Sequence, residues 1–424
     1  MRNLTINRPR SFRFGELIRT GIRLLLTCSV LFAGVASAED EQRPLLAVVG
    51  DSLAAGFQNF SLSEPQQQTS FANLISLQAQ AEPLSLPLMA EPGFPTPMFL
   101  KREPRTPLEA FVACAKALPF GSTDLCEAPK LSQPVRLNPG ARVTNLAVPG
   151  MTVEQALSKL PIPPASDDAV DVMTFFVLGF PPAGSQVDQA VALNPINALV
   201  WIGANDVLMA GLSGDFRLLT RIDRFYAAYR TLMERLASTD ANLVVGNIPD
   251  VTAIPYFMPA ATLAAQSGRS IGQVTGKLGI DRRDFLRPAA VAIAMDILEG
   301  KRSGRLPDTC PATVPGLPFP TTPCVLKSSE AAVLHAAVFA FNLVILERAI
   351  AHRATLVDIY SLVKRLKANG YALNGKKLTT DYLGGFFSLD ALHPNNTGQA
   401  IIANEWIKTM NARLGMNIPM VAVN

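Results

Sequence analysis

The sequence predicts an α/β fold built on a central parallel sheet with helices packed on both faces. Three observations carry that expectation. Short aliphatic runs recur along the chain, each closed by a turn former, and helix-period patterns lie between them. Of 424 residues, 49% are hydrophobic and only 17% charged, enough apolar material for one large core or two ordinary ones. The 28 Gly and 33 Pro follow no repeat, so the composition fits neither a disordered chain, a collagen nor a small disulfide scaffold.

The first run is Leu45-Leu46-Ala47-Val48-Val49, ending at Gly50-Asp51-Ser52. The second spans Val143 to Val148 and ends at Pro149-Gly150. Ala198-Leu199-Val200-Trp201-Ile202 leads into Gly203-Ala204-Asn205-Asp206, and Leu243-Val244-Val245 into Gly246-Asn247-Ile248-Pro249-Asp250. Thr355-Leu356-Val357-Asp358-Ile359 is the fifth. Short, β-branched and bounded by turn residues, they read as strands buried on both faces. Between them, apolar residues three and four apart from Phe216 to Leu236 predict a helix, as do Glu330 to His352 and Gln399 to about Leu414. The run Met173 to Leu178 is apolar but assigns itself to neither class. Residues 82–140 and 252–328 are Pro-rich and read as long insertions, the second with a helix over Pro288 to Glu299.

The net charge of +4 is not evenly spread. Six of the 38 basic residues and one of the 34 acidic ones fall in the first 23 positions. An apolar run, Leu24 to Ala36, comes next, and Ala36-Ser37-Ala38 completes the pattern of a secretory signal peptide over 1–38. The run is shorter than the roughly 20 residues a membrane-spanning helix needs. Removing it leaves 32 basic against 33 acidic residues, a nearly neutral chain without the basic surface a nucleic acid requires. Export agrees with the cysteines. Cys28 lies in the leader, and the other four fall as two close pairs, Cys114 with Cys126 and Cys310 with Cys324. Three connectivities exist; two local loops are the favoured one, each contributing about 3 kcal/mol in the chain-entropy model. Without a C-x-x-C pair or a nearby His, a structural zinc has little to recommend it.

In open α/β sheets, sites form at the carboxyl ends of the strands. There the chain places Asp51 and Ser52, Gly150, and Asn205 with Asp206, while Asp390 and His393 precede the last helix. A serine hydroxyl needs a base, an imidazole can serve near neutral pH, and a carboxylate can fix its tautomer. Amides of Ser52 and Gly150 and the Asn205 side chain are available donors for a developing oxyanion. Asp51 and Asp206 read as loop-holding groups, and Asp250 as structural. His335 and His352 read as helix-face residues, and Phe386-Phe387 as pocket lining or core.

These blocks resemble the GDSL, or SGNH, family of serine esterases and lipases. Gly50-Asp51-Ser52-Leu53, Asn145 to Gly150, Gly203-Ala204-Asn205-Asp206 and Asp390-Ala391-Leu392-His393-Pro394 stand in the family's order. The resemblance implies a three-layer, flavodoxin-like sandwich of about five parallel strands in the order 2-1-3-4-5, one domain over 39–424. It implies Ser52 as nucleophile, His393 as base and Asp390 as its partner, with Ser52, Gly150 and Asn205 forming the oxyanion hole. No metal or cofactor is expected, and the substrate would be a small-molecule or lipid ester. The rivals are a carbohydrate O-acetyl esterase, a silent adhesion protein on the same scaffold, and a metal phosphoesterase, which would need clustered ligands the sequence lacks.

Overall fold

Four short aliphatic segments lie side by side as one parallel sheet: β1 (Leu46–Gly50), β2 (Asn197–Trp201), β3 (Asn242–Gly246) and β4 (Thr355–Val357), in that spatial order. The computed structural model describes residues 43–80, 83–118, 121–164, 168–179, 183–315 and 319–424, and the expected leader over 1–38 lies outside them. Pro44–Asn424 form one compact unit. Leu46 pairs with Asn197 and Gly50 with Trp201, so β1 and β2 end level and present the loops at their ends together. All ten residues of these two strands are buried, as expected when helices cover both faces.

The expected fifth strand is a correction. The segment around Asn145 does run parallel to the outer side of β1, giving the order 2-1-3-4-5, but as a single bridge between Asn145 and Val48. Val48 N–H donates to Thr144 at 2.9 Å and Leu146 N–H to Val48 at 3.0 Å. Val148 N–H carries the pairing one step further, onto the Gly50 carbonyl at 3.1 Å, but the Leu146 carbonyl is taken by the Gln186 amide at 2.7 Å, which also donates to Gly50 at 2.8 Å. A side chain has taken the acceptor that the next backbone rung would use.

Helices flank the sheet. On one side α1 (Phe71–Gln78) packs on the last helix, α7 (Asn396–Leu414), with Phe71, Trp201 and Trp406 in mutual ring contact. On the other, α3 (Ile222–Ala237) packs on α5 (Ser328–Ala351), where the Phe225 and Phe341 rings stack at 3.9 Å. The helix expected from Phe216 breaks at Leu219 to Arg221, leaving a 3₁₀ turn over Phe216–Leu218 before α3. There Thr220 N–H donates to the Asp206 carbonyl at 2.9 Å, so the chain is held by the site loop rather than by its own helix. The ambiguous run after Met173 belongs to a helix, Ala169–Leu178.

Both disulfides form within the insertions, Cys114–Cys126 and Cys310–Cys324. The insertions are folded rather than loose. Helices α2 (Pro107–Ala117) and α4 (Pro288–Leu298), one from each, pack together with Phe111, Ala290 and Ile297 buried.

Candidate active site

The site begins where β1 stops. Gly50 has no room for a side chain: a Cβ would come within 2.7 Å of Ala54 and 2.8 Å of the Trp201 carbonyl. Asp51 then caps a one-turn helix, Ser52–Ala55, accepting from Leu53 N–H at 3.0 Å. Ser52 is its first residue, so its amide is among those a helix start leaves without an intrahelical acceptor.

His393 reaches Ser52 from the other end of the chain. Its Nε2 lies 3.0 Å from the Ser52 Oγ, and its Nδ1 lies 2.9 Å from Asp390 Oδ2. The Asp390 side chain is fully buried and the imidazole 12% exposed. Asp390 spends every oxygen lone-pair direction on a donor, three of them in its own loop and one in that of Phe60. Oδ1 accepts from the Leu392 and His393 amides at 2.8 and 2.9 Å, and Oδ2 accepts from Phe60 N–H at 2.9 Å besides the imidazole. Burial alone would raise its pKa; the His393 charge and these donors outweigh it and hold the carboxyl below the usual range.

Asn205 opens the helix Asn205–Ser213 after β2. Its Nδ2 donates to the Met151 carbonyl at 3.1 Å and lies 3.4 Å from Asp51 Oδ2. The first contact joins it to the residue after Gly150, the second to the residue before Ser52. The Gly150 backbone adopts φ +82°, and a Cβ there would meet Val170 Cγ2 at 2.7 Å. Glycine is therefore required both by conformation and by space. Asp206 ties the two loops together by accepting from Val153 N–H at 3.0 Å. The arrangement offers a proton relay, Ser52–His393–Asp390, beside an amide-lined corner.

Some of the positioning residues leave no trace in the motifs. Asn59 and Phe60 both adopt φ near +55°, which strains a Phe. The conformation clamps their loop onto that of Asp390: Asn59 N–H donates to Ser388 Oγ at 3.0 Å, and Asn59 Oδ1 accepts from Leu389 N–H at 2.9 Å. The insertions support the same loop. Tyr256 N–H donates to the Ala391 carbonyl at 3.0 Å, and Tyr382, packed edge-on against Phe111, donates its hydroxyl to Leu389 at 3.0 Å. Asp250 gains the partners its motif did not suggest, His335 Nε2 at 3.2 Å and Thr252 Oγ1 at 2.8 Å. Ser52 and His393 open into a cavity of about 60 Å³ walled by Trp201, Leu208, Ile254, Phe386, Phe387 and Ile402. Among the described residues, no cluster of His, Cys, Asp or Glu could hold a metal ion.

Two buried carboxyls behind the site titrate far from their ordinary value. Burial pushes Asp51 up to about 7 and Asp206 up to about 6. Both keep a proton in the folded chain at pH values where an unfolded aspartate, near 3.9, has lost it. Folding therefore takes up protons between about pH 4 and 7, and stability falls as pH rises across that interval. Asp390, held low, acts in the opposite sense: its contribution is present above the unfolded value and lost as pH falls through its folded value. The Asp51→Asn variant is thus expected to gain on the wild type by roughly 2–4 kcal/mol between pH 4 and 8. A constant penalty accompanies it, because the new NH₂ faces the amide of Asn205. Thermal melts at stepped pH read the slope; a difference between the two proteins that stays flat across this range would overturn the assignment.

The parallel sheet and the family match make this an α/β ester hydrolase. The chain belongs to the GDSL-like lipase and acylhydrolase family, whose model matches residues 46–406. No curated protein sequence matches it significantly. Among solved structures it is similar to an α/β-hydrolase enzyme from the metagenome of Lake Arreo, at 11% identity over 86% of this chain and 94% of that one, with a TM-score of 0.36. It is also similar to a psychrotrophic esterase of Pseudoalteromonas sp., at 11% identity over 88% and 98%, TM-score 0.35. An extracellular lipase from Streptomyces rimosus matches at 12% identity over 87% and 98%, TM-score 0.32.

Proposed function

We propose that this ester hydrolase works through a covalent acyl-enzyme on Ser52. The observation that carries the reading is the unbroken line Ser52 Oγ–His393 Nε2, 3.0 Å, and His393 Nδ1–Asp390 Oδ2, 2.9 Å. His393 takes the hydroxyl proton as Ser52 attacks the ester carbonyl, and Asp390 stabilises the resulting imidazolium. The oxyanion of the tetrahedral intermediate is received by the amides of Ser52 and Gly150 and by Asn205 Nδ2. His393 then gives the proton to the departing alkoxide. A water molecule, deprotonated by the same imidazole, attacks the acyl-serine, and collapse returns the carboxylic acid and the free hydroxyl.

The cavity walls favour an apolar acyl group. Leu208, Ile254, Phe386, Phe387 and Ile402 line the cavity beside Ser52 and His393. Export as a mature chain beginning near Glu39 fits the basic-apolar-small leader and the two disulfides. With p-nitrophenyl esters, kcat/KM is expected to rise about three- to fourfold per methylene from acetyl toward butyryl or hexanoyl, in line with about 0.8 kcal/mol per buried CH₂. An acetyl-only profile would contradict this and point to carbohydrate O-acetyl esters.

A further inference from the structure

Helix α5 (Ser328–Ala351) is apolar on the wrong side. Its inner face is accounted for, with Leu334, Val338, Phe341 and Ile345 buried in the domain. Yet Phe339 is 66% exposed, Leu343 51%, Leu346 40% and Ile350 70%, and Ala332 and Ala336 continue the same line toward the N-terminus. The helix is long and apolar enough to cross a membrane by length and composition, but its buried face belongs to the protein core. Of its four titratable residues, Glu330 and Arg348 are half-buried, leaving only Glu347 and the Asp250-bound His335 beside the exposed stripe.

The stripe is laid out so that a second helix can cover it. Positions 332, 336, 339, 343, 346 and 350 alternate steps of four and three, the heptad seam along which one helix lies in register against another. A lipid surface imposes no such register, and helices that lie in one carry Lys or Arg along their flanks; this stripe has none on its exposed half. The seam is also complementary to itself. Turned end for end about the level of residue 341, it sets Ala332 opposite Ile350, Ala336 opposite Leu346 and Phe339 opposite Leu343. Each layer pairs a smaller with a larger side chain, and the two helix dipoles oppose. An isologous contact of this kind closes on two copies.

We propose that a second copy of this chain packs on the solvent face of α5, antiparallel across a twofold axis at the level of residue 341. Each copy offers apolar surface on the order of 300–600 Å², the size of the largest and often functional patch of a monomer. Doubled, that reaches the lower end of specific interfaces, the size of weak and transient pairs. The sites stay open. Helix α5 runs back toward the start of β4, so its first turns lie at the site end of the sheet, where His335 meets Asp250 of the pocket wall. Antiparallel pairing sends the two pockets to opposite ends, and the inference is independent of the role given to Ser52.

Sedimentation velocity of the mature protein from about 0.1 to 100 µM tests the interface. The expected result is a concentration-dependent monomer–dimer equilibrium, with Leu343→Glu monomeric throughout and its kcat/KM within about twofold of wild type. Because Leu343 faces solvent, the variant should also melt as the parent does. In the mature protein, whose four cysteines are disulfide-bonded, Ala340→Cys should cross-link to its own mate through a short bis-maleimide. Ala332→Cys, about 27 Å from its mate, should not. A wild type that stays monomeric to 100 µM, a Leu343→Glu dimer, or cross-linking at both positions overturns the proposal. So does a monomer whose binding to phosphatidylcholine vesicles disappears in Leu343→Glu, which would assign the stripe to lipid.

Discussion

Ser52→Ala is expected to lower kcat on p-nitrophenyl esters by at least about 10⁴-fold while leaving the thermal midpoint nearly unchanged. The hydroxyl is the only group the structure sets at hydrogen-bond distance from His393 Nε2 among the described residues. Without it the imidazole retains its carboxylate but has nothing to deprotonate except water. Residual turnover would come from the amide corner polarising a bound carbonyl, which persists when a relay member is lost. The fold should hardly register the change, since one partly buried hydrogen bond contributes about 1 kcal/mol. Steady-state rates together with circular-dichroism melts separate the two effects. A variant retaining more than about 1% of wild-type kcat would remove Ser52 from the chemistry. A lost activity accompanied by a collapsed melt would say only that the loop had failed. An alkyl fluorophosphonate recovered on the Ser52 peptide of the wild type guards against that confusion.

The residues to which this chemistry is assigned are legible as candidates because each sits in a short contiguous block whose local rules agree. A buried aliphatic run must stop somewhere, and the turn formers that stop it are Gly50, Gly150 and Gly203. The residues just beyond these glycines therefore lie at the carboxyl edge of the sheet, and no knowledge of strand pairing is needed to place them there. The devices that hold the blocks together were not legible. The clamp of Asn59 on Leu389 joins positions 330 apart, and Tyr382 and Tyr256 act through backbone carbonyls that any residue would offer. The fifth strand is reduced to a bridge for a similar reason: the Gln186 amide that occupies the Leu146 carbonyl comes from another helix. Periodicity misled in one respect as well. It correctly read Glu330 to His352 as helix, but a stripe meant for solvent or a partner looks the same in sequence as one meant for the core. The first insertion reads as loop because prolines and a cysteine mask its helix, Pro107–Ala117, whereas the helix expected over Pro288 to Glu299 stands at Pro288–Leu298.

Asp390→Asn should cost about 10³- to 10⁴-fold in kcat, nearly as much as removing the nucleophile, although one oxygen has merely become NH₂. The reason lies in the saturation of the carboxylate. Both oxygens are acceptors only, Oδ1 for the Leu392 and His393 amides, Oδ2 for Phe60 N–H and the imidazole. Whichever way the new amide turns, its NH₂ must face two donors. If it takes the Oδ2 position, the imidazole can keep a hydrogen bond only by switching tautomer, so that Nδ1 accepts and Nε2 carries the proton. His393 then points a donor at Ser52 and cannot act as its base. If the NH₂ takes the Oδ1 position, the tautomer survives, but two backbone amides of the buried turn lose their acceptor, at about 1–3 kcal/mol each. The two routes differ in what they damage. The first lowers kcat with KM little changed and costs stability through one backbone amide, that of Phe60; the second costs two such amides and leaves the chemistry largely in place. Because a swap of tautomer is the less costly adjustment, the kcat loss is the expected outcome. A fall of less than tenfold, with an intact melt, would mean that Asp390 shapes the turn without governing the proton on His393.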